Sequence, residues 1–426
     1  MDNIINLLQR EVRPALGCTE PAAVALACAY AAYGVEGEID EVRVFVDPNV
    51  YKNGMGVFVP GADAVGLPIA AALGALIADP VLELQVLGAV KPGMRERACR
   101  LISEGRVTVE PVGEFGQLRI AATVRSGGCE STAEISGTHT HLSALFRNGK
   151  QTFTAPVQET SLGVLSWLKD YTVKDIVRAV QGRGKELTFL VALAQQNMKV
   201  AQAGLSEPMG VGLGWNLRRL MEEGKLGTDG PNRIMSYVAA AADARMSGYS
   251  EPVISTNGSG NQGITASLPV LLAYEDMQDI SEDRLTEALA ISHLITIYVK
   301  QYIGKLSASC ACAMAAAIGA SCGISYLWGQ SDEQLENCIG LMAANLTGMI
   351  CDGAKVSCSF KLATAALTAV QSAMLAGVGV SAPAYDGILS FSAEQTIFNL
   401  GEVSNPGMRE TDRVILNLMC AKKKTS

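Results

Sequence analysis

The chain has 426 residues, of which 49% are apolar and 18% charged, so it carries enough hydrophobic material for a large core and is not a disordered segment. Lys and Arg total 34 against 42 Asp and Glu, a formal net charge of −8 with pI near 5.2. No basic stripe stands out, which argues against nucleic acid and against an anionic membrane surface as partners.

The first 35 residues read as a helical segment. Its opening, MDNIINLLQREVRP, mixes acidic and basic residues and has no continuous apolar run, so no secretory signal is expected and the predicted location is the cytoplasm. Thr19, Glu20 and Pro21 make a favoured helix start, an Ala-rich run follows to Tyr33, and Gly34 ends it. Cys18 therefore precedes a helix N-terminus, where the dipole favours a thiolate. Residues 36–160 read as a mixed α/β domain. Val42–Val46, Arg106–Val112, Gln117–Val124 and Thr132–Ile135 carry strand patterns, with helices near Pro68–Ile77 and Gly93–Glu104. In residues 161–426 strand signals nearly vanish. Helices are predicted at Val173–Gln181, Glu186–Ala203, Asn232–Ser247, Glu282–Tyr302, Ala311–Trp328, Asp332–Leu346, Leu362–Leu375 and Ala393–Leu400. The expected fold class is α+β, a mixed α/β domain in the N-terminal half followed by a mostly α-helical domain. The mean hydropathy of +0.22 raises a membrane reading, and Cys310–Trp328 is its best case. That stretch is rich in Ala, Gly and Ser, whereas a span needs about 20 predominantly apolar residues. A buried helix is the expectation.

Eleven cysteines are present, an odd number, and six of them fall between Cys310 and Cys358. In a reducing compartment they are thiols, metal ligands or nucleophiles. Cys351 and Cys358 flank a turn-forming stretch with Asp352, Gly353 and Lys355, and Cys310 and Cys312 sit at a loop-to-helix junction. Thiolates on such junctions suit zinc or an iron–sulfur cluster, and the lack of C-x₂₋₄-C pairs tilts the choice to the cluster. The competing reading is that they pack as small hydrophobes. The stretch NGSGNQG offers Asn257, Ser259, Asn261 and Gln262, with glycines that let backbone N–H groups approach a carboxylate. It lacks the Lys-Ser/Thr of a phosphate loop and has no βαβ unit around it.

Six segments carry a resemblance: RPALGCTEPAAVALA (13–27), NVYKNGMGVFVPG (49–61), VGLPIAAALGAL (65–76), NGSGNQGITAS (257–267), GKLSASCACAMAAA (304–317) and LTGMICDGAKVSC (346–358). Together they resemble the L-cysteine desulfidase family, which is related to the iron–sulfur L-serine dehydratases through their alpha portion. The resemblance implies a [4Fe-4S] cluster held by Cys310, Cys351 and Cys358, with Cys312 as the substitute for Cys310. It also implies Cys18 as the active-site base, or alternatively as a resting fourth ligand displaced by substrate. Lys52 and Asn53 sit in a second matching segment, and His139 in a looser one. His141 and His293 complete the three histidines.

An open iron is a Lewis acid, and iron is soft enough to hold a departing sulfide. The expected reaction is β-elimination of L-cysteine to hydrogen sulfide, ammonia and pyruvate. The alternatives are an L-serine dehydratase with the same cluster, a pyridoxal-phosphate lyase using Lys52, Lys305 or Lys355, and a non-catalytic iron–sulfur sensor. The expected partner is a small amino-acid substrate, and homo-oligomerisation stays open.

Overall fold

A computed structural model describes residues 2–15, 17–59, 61–115, 118–156, 163–304 and 307–422. The chain divides into two compact units. One comprises residues 1–16, 164–351 and 356–415 and is mostly helical; the other comprises residues 17–163, 352–355 and 416–426 and is built on a sheet.

The sheet has six strands in the order Val107–Pro111, Ile39–Val46, Arg119–Ser126, Cys129–Ser136, Leu142–Arg147 and Lys150–Thr154. Only the first pair is parallel. Alternation along the strands puts Val42, Val44, Val46, Ile120, Ala122, Val124, Ala133 and Ile135 on a buried face. The other face is solvated and carries cross-strand pairs of Arg119 with Glu134 and of Arg125 with Glu130 and Glu41. The buried face packs on the helix Thr19–Ala32, which is apolar almost all round. The helix Leu67–Ile77 crosses it so closely that a Cβ on Gly74 would lie 2.1 Å from the Ala25 carbonyl oxygen. The abundance of Ala and Gly thus reads directly as close helix packing.

The helical unit is built around the helices Gly260–Glu275, Glu282–Ile303 and Ala315–Leu327. All of Ala315–Leu327 is buried, so the stretch that suggested a membrane is a core helix. Among the described residues no single helix is long and apolar enough to cross a membrane; one apolar pair, Leu67–Ile77 with Pro80–Ala89, is bent by 117°.

The α+β class holds, and the strands read at 42–46, 106–112, 117–124 and 132–135 are present within a residue or a few of those bounds, Gln117 itself lying outside the described residues. The differences are local. The first 35 residues are not one helix: Asp2–Glu11 is followed by a strand, Val12–Ala15, which pairs antiparallel with Val253–Thr256. Neither strand is legible locally, because each is held by a partner some 240 residues away. Helices Leu213–Glu222, Gly260–Glu275 and Arg409–Lys422 were not expected. The helix expected from Ala311 begins at Ala315, since Ala313 and Met314 turn back to donate to the Cys310 carbonyl.

Gly74→Ala should destabilise the sheet unit, because the clash is with backbone that has no rotamer to yield. The cost expected for such overpacking is about 1–3 kcal/mol, measured as a lowered denaturation midpoint.

Candidate functional site

The cysteines separated by forty residues are brought side by side by backbone pairing. Ser309 and Ile350 form an isolated antiparallel bridge. The Cys310 N–H donates to the Met349 carbonyl at 2.8 Å, and the Cys351 N–H donates to the Ala308 carbonyl. Cys358 is the first residue of the helix Cys358–Gly377, so its sulfur sits where the helix dipole favours negative charge. Cys310 and Cys358 are buried, and Cys312 and Cys351 are half-buried. None of the eleven cysteines is in a disulfide.

The thiols act on one another. Cys310 is pushed well above the ordinary thiol range by its hydrogen bond with Cys312, by burial, and by the nearby Cys351 and Cys358. Cys312 moves the other way, down to about 6. The Cys310 hydrogen bond is the main cause; burial opposes it, and the Ser259 hydroxyl, Lys300 and Arg245 add to it. Among the described residues no three His, Cys, Asp or Glu side chains close on a single metal ion. The thiols are carried by separate backbone segments, Cys310 and Cys312 on one and Cys351 and Cys358 on the other.

The NGSGNQG stretch lies against these thiols. Ser259 Oγ is 3.4 Å from Cys312 Sγ. Asn257 and Gly258 both have positive φ, +49° and +79°, and close a tight turn between Thr256 and Ser259. Asn257 is anchored to Glu11 through its backbone N–H and through its side-chain amide at 3.2 Å. Ser259 then caps the helix Gly260–Glu275, accepting from the Gln262 N–H. The second half of the expected loop, Gly260 to Gly263, is therefore the first turn of a helix. Asn261 accepts a hydrogen bond from Arg245 Nη1 at 2.9 Å. Gln262 is buried, and its side-chain oxygen has no hydrogen-bond partner. Beneath the turn, Thr256 Oγ1 is 2.8 Å from Nδ1 of His293, which burial keeps neutral by pulling its pKa down to about 4.

The remaining expected residues belong to the sheet unit. Cys18 is the N-cap of Thr19–Ala32 and makes no side-chain capping hydrogen bond. Lys52 and Asn53 are buried on the helix Pro48–Gly54. Asp47 caps that helix, accepting from the Asn49 and Val50 N–H groups and from Arg119 N. Gly353, at φ +93°, packs so tightly that a Cβ there would lie 2.1 Å from the Lys52 carbonyl oxygen. His139 is half-buried in the turn after Cys129–Ser136, and His141 Nε2 is 2.8 Å from the Pro156 carbonyl. Lys305 lies outside the described residues. Sequence reasoning missed Arg245, Lys300 and Glu11. A lone arginine in the Ala-rich run YVAAAADARM was the one available signal for the first of these.

A profile of the serine dehydratase alpha chain matches residues 136–417, which holds both the thiols and the NGSGNQG turn. The chain belongs to the serine dehydratase alpha chain family. Full-length relatives carry only the designation UPF0597 protein. One from Desulfotalea psychrophila is 39% identical over 433 residues, covering 99% of each chain. One from Clostridioides difficile is 39% identical over 97% of this chain and 98% of its own. One from Bacteroides fragilis is 42% identical over 98% of each.

Burial raises Asp47 from 3.8 to about 6 against the N–H groups it accepts from, with Glu20 adding to the rise. A raised acid binds its proton more tightly in the folded state. The stability this group adds is full below pH 3.8 and is lost as pH rises through about 6. Urea midpoints of the wild type relative to Asp47→Asn should therefore fall across that window and run parallel above it.

Proposed function

We propose that the chain is an iron–sulfur lyase that eliminates the β-substituent of L-cysteine. Membership of the serine dehydratase alpha chain family supports the lyase class, and the 3.4 Å contact of Ser259 with Cys312 carries the reading for the site. That contact joins a cluster-type thiol set to a helix start rich in hydrogen-bond donors, within one unit.

Cys310, Cys351 and Cys358 are the proposed ligands of a [4Fe-4S] cluster. Burial, cysteine donors and the positive surroundings of Lys300 and Arg245 suit a group that carries thiolate charge. When bound, such a cluster with one iron free of protein ligands supplies a Lewis acid for the substrate. The chain's own residues do the rest. Asn257, Ser259, Asn261 and Gln262 are proposed to hold the amino acid, with Lys52, Asn53 and His139 as further binding residues. Cys18 is proposed as the base that takes the carbon-2 proton. The carbon 3–sulfur bond then breaks, its electron pair leaving with sulfur, and 2-aminoacrylate is released. Water hydrolyses its imine tautomer to pyruvate and ammonia.

The family's description favours L-serine as the second substrate to test, with water leaving in place of sulfide. After anaerobic reconstitution with iron and sulfide, the protein should absorb in the iron–sulfur band and release sulfide and pyruvate from L-cysteine faster than pyruvate from L-serine. A preference for serine would make it a dehydratase, and a coloured protein inert to both would sink the lyase reading. Ser substitution at Cys310, Cys351 or Cys358 should abolish the colour. Cys18→Ala should keep the colour and lose kcat on the order of 10²–10⁴-fold.

A further inference from the structure

The helix Cys358–Gly377 buries most of its circumference and leaves one stripe bare. It packs on Gly230–Met246, Ala315–Leu327 and Asp332–Leu346. Phe360, Thr364, Gln371, Met374 and, at the C-cap, Val378 are exposed, and Leu367 between them is half-buried. At about 100° per residue these six positions share one narrow face of the helix. They are spaced alternately by four and three residues, the seam of a helix that packs lengthwise on another helix. Phe360, Met374 and Val378 are 52%, 50% and 79% exposed, so this seam stands in water.

The stripe is also without charge. The one charged residue of the helix is Lys361, whose ammonium donates to the Ile350 carbonyl at 2.7 Å. None stands between Lys361 and Asp386, in a chain with a net charge of −8. The helix Leu213–Glu222 shows how a solvated face of this protein is otherwise made: its Arg218 and Arg219 pair with Glu222 and Glu223. A contiguous apolar stripe with no such pairs is surface that a partner removes from water.

The stripe's own character selects the occupant. A charged surface laid on it loses hydration and meets no counter-charge. The matching surface is uncharged, helical and spaced by fours and threes, and a second copy of the chain carries it. The spacing 4-3-4-3-4 reads the same in both directions, as a face that meets itself across a two-fold axis requires. We propose that the chain forms a two-fold dimer in which this helix packs antiparallel on its own copy. Phe360 then lies against the partner's Val378, Thr364 against the partner's Met374 and Leu367 against the partner's Gln371. The first two pairs set a large side chain against a small one, which lets the seam interdigitate. Thr364 and Gln371 are its polar members, and polar seam residues fix register and orientation. The seam starts two residues beyond Cys358, so pairing also steadies the turn that carries this thiol.

Sedimentation velocity on the full chain at micromolar concentrations should give twice the chain mass of 44.8 kDa. Leu367→Glu and Gln371→Lys each place a charge in the seam and should each weaken dimerisation by about a hundredfold. Mixed in equal amounts, the two variants should dimerise again, because an antiparallel seam sets position 367 of one chain against 371 of the other. A parallel pairing sets like positions together and gives no such rescue. Should Leu367→Glu misfold, Met374→Glu mixed with Thr364→Lys is the equivalent pair at exposed positions. Phe391→Ser, at an aromatic 92% exposed outside this helix, should leave the dimer intact. Circular dichroism melts establish that each variant is folded. A wild type that stays monomeric overturns the proposal, whether the monomer remains free, binds vesicles or binds another protein. So does a dimer that survives folded Leu367→Glu and Gln371→Lys, or one that Phe391→Ser abolishes. A mixture of the two charged variants that stays monomeric overturns the antiparallel register.

Discussion

The functional site proposed for this chain depends on one short piece of backbone pairing, the bridge of Ser309 with Ile350. Cysteine side chains are short, so they converge only if the main chain delivers them. Two hydrogen bonds, from Cys310 to Met349 and from Cys351 to Ala308, fix two thiol-bearing segments against one another. The helix that begins at Cys358 brings a third thiol from the same chain segment seven residues on. The consequence is electrostatic. Thiols this close cannot all ionise in a buried place, and the burden shows in the upward shift of Cys310. The cluster proposed for these thiols would relieve that burden, because coordination takes thiolates and releases their protons.

The surroundings are arranged to tolerate the same negative charge. Lys300 is 3% exposed, and its ammonium donates to the Gly304 carbonyl at the end of its own helix. Arg245 is held by Asn261. Cations withdrawn from water are costly unless they meet compensating charge, and both the buried Lys300 and the half-buried Arg245 act on Cys312. His293 makes the opposite choice. Fully buried beneath the Asn257 turn, it stays neutral and serves Thr256 as a hydrogen-bond partner. Histidine here supports the loop's shape, whereas the cationic side chains that act on the thiols are Lys300 and Arg245.

What the sequence made legible follows from how local each cause is. The strand Ile39–Val46 was readable because its alternation is written in consecutive residues, and Thr19–Ala32 because Thr, Glu and Pro mark its start. Gly260–Glu275 was not, because Gly260, Gly263 and Pro269 are poor helix formers. Its glycines are there for close approach, to Arg245 in the first case and to the Ile254 carbonyl in the second, and such needs are invisible without the neighbours. The strand Val12–Ala15 contains Pro14 and exists only because Val253–Thr256 lies beside it. For the site, the cysteines stood out by type and clustering. The contact of Ser259 with Cys312 spans 53 residues and leaves no periodic trace. Arg245 and Lys300 were not singled out, because only their neighbours show that the first is half-buried and the second buried.

The segment between Cys351 and Cys358 bears a second constraint. Asp352–Lys355 groups with the sheet unit, while both flanking cysteines group with the helical one. Gly353 is the reason this segment is specific. Its φ of +93° and its approach to the Lys52 carbonyl leave no room for a side chain. Lys355 donates to the carbonyls of Asp352 and Gly353, folding the segment on itself. Lys52 is in turn fixed by a short helix whose start depends on the Asp47 carboxylate. A chain of contacts therefore runs from a buried, proton-hungry aspartate to the turn that separates two of the thiols. A cysteine side chain is short, so the backbone course of this turn constrains where the two thiols that flank it in sequence can stand.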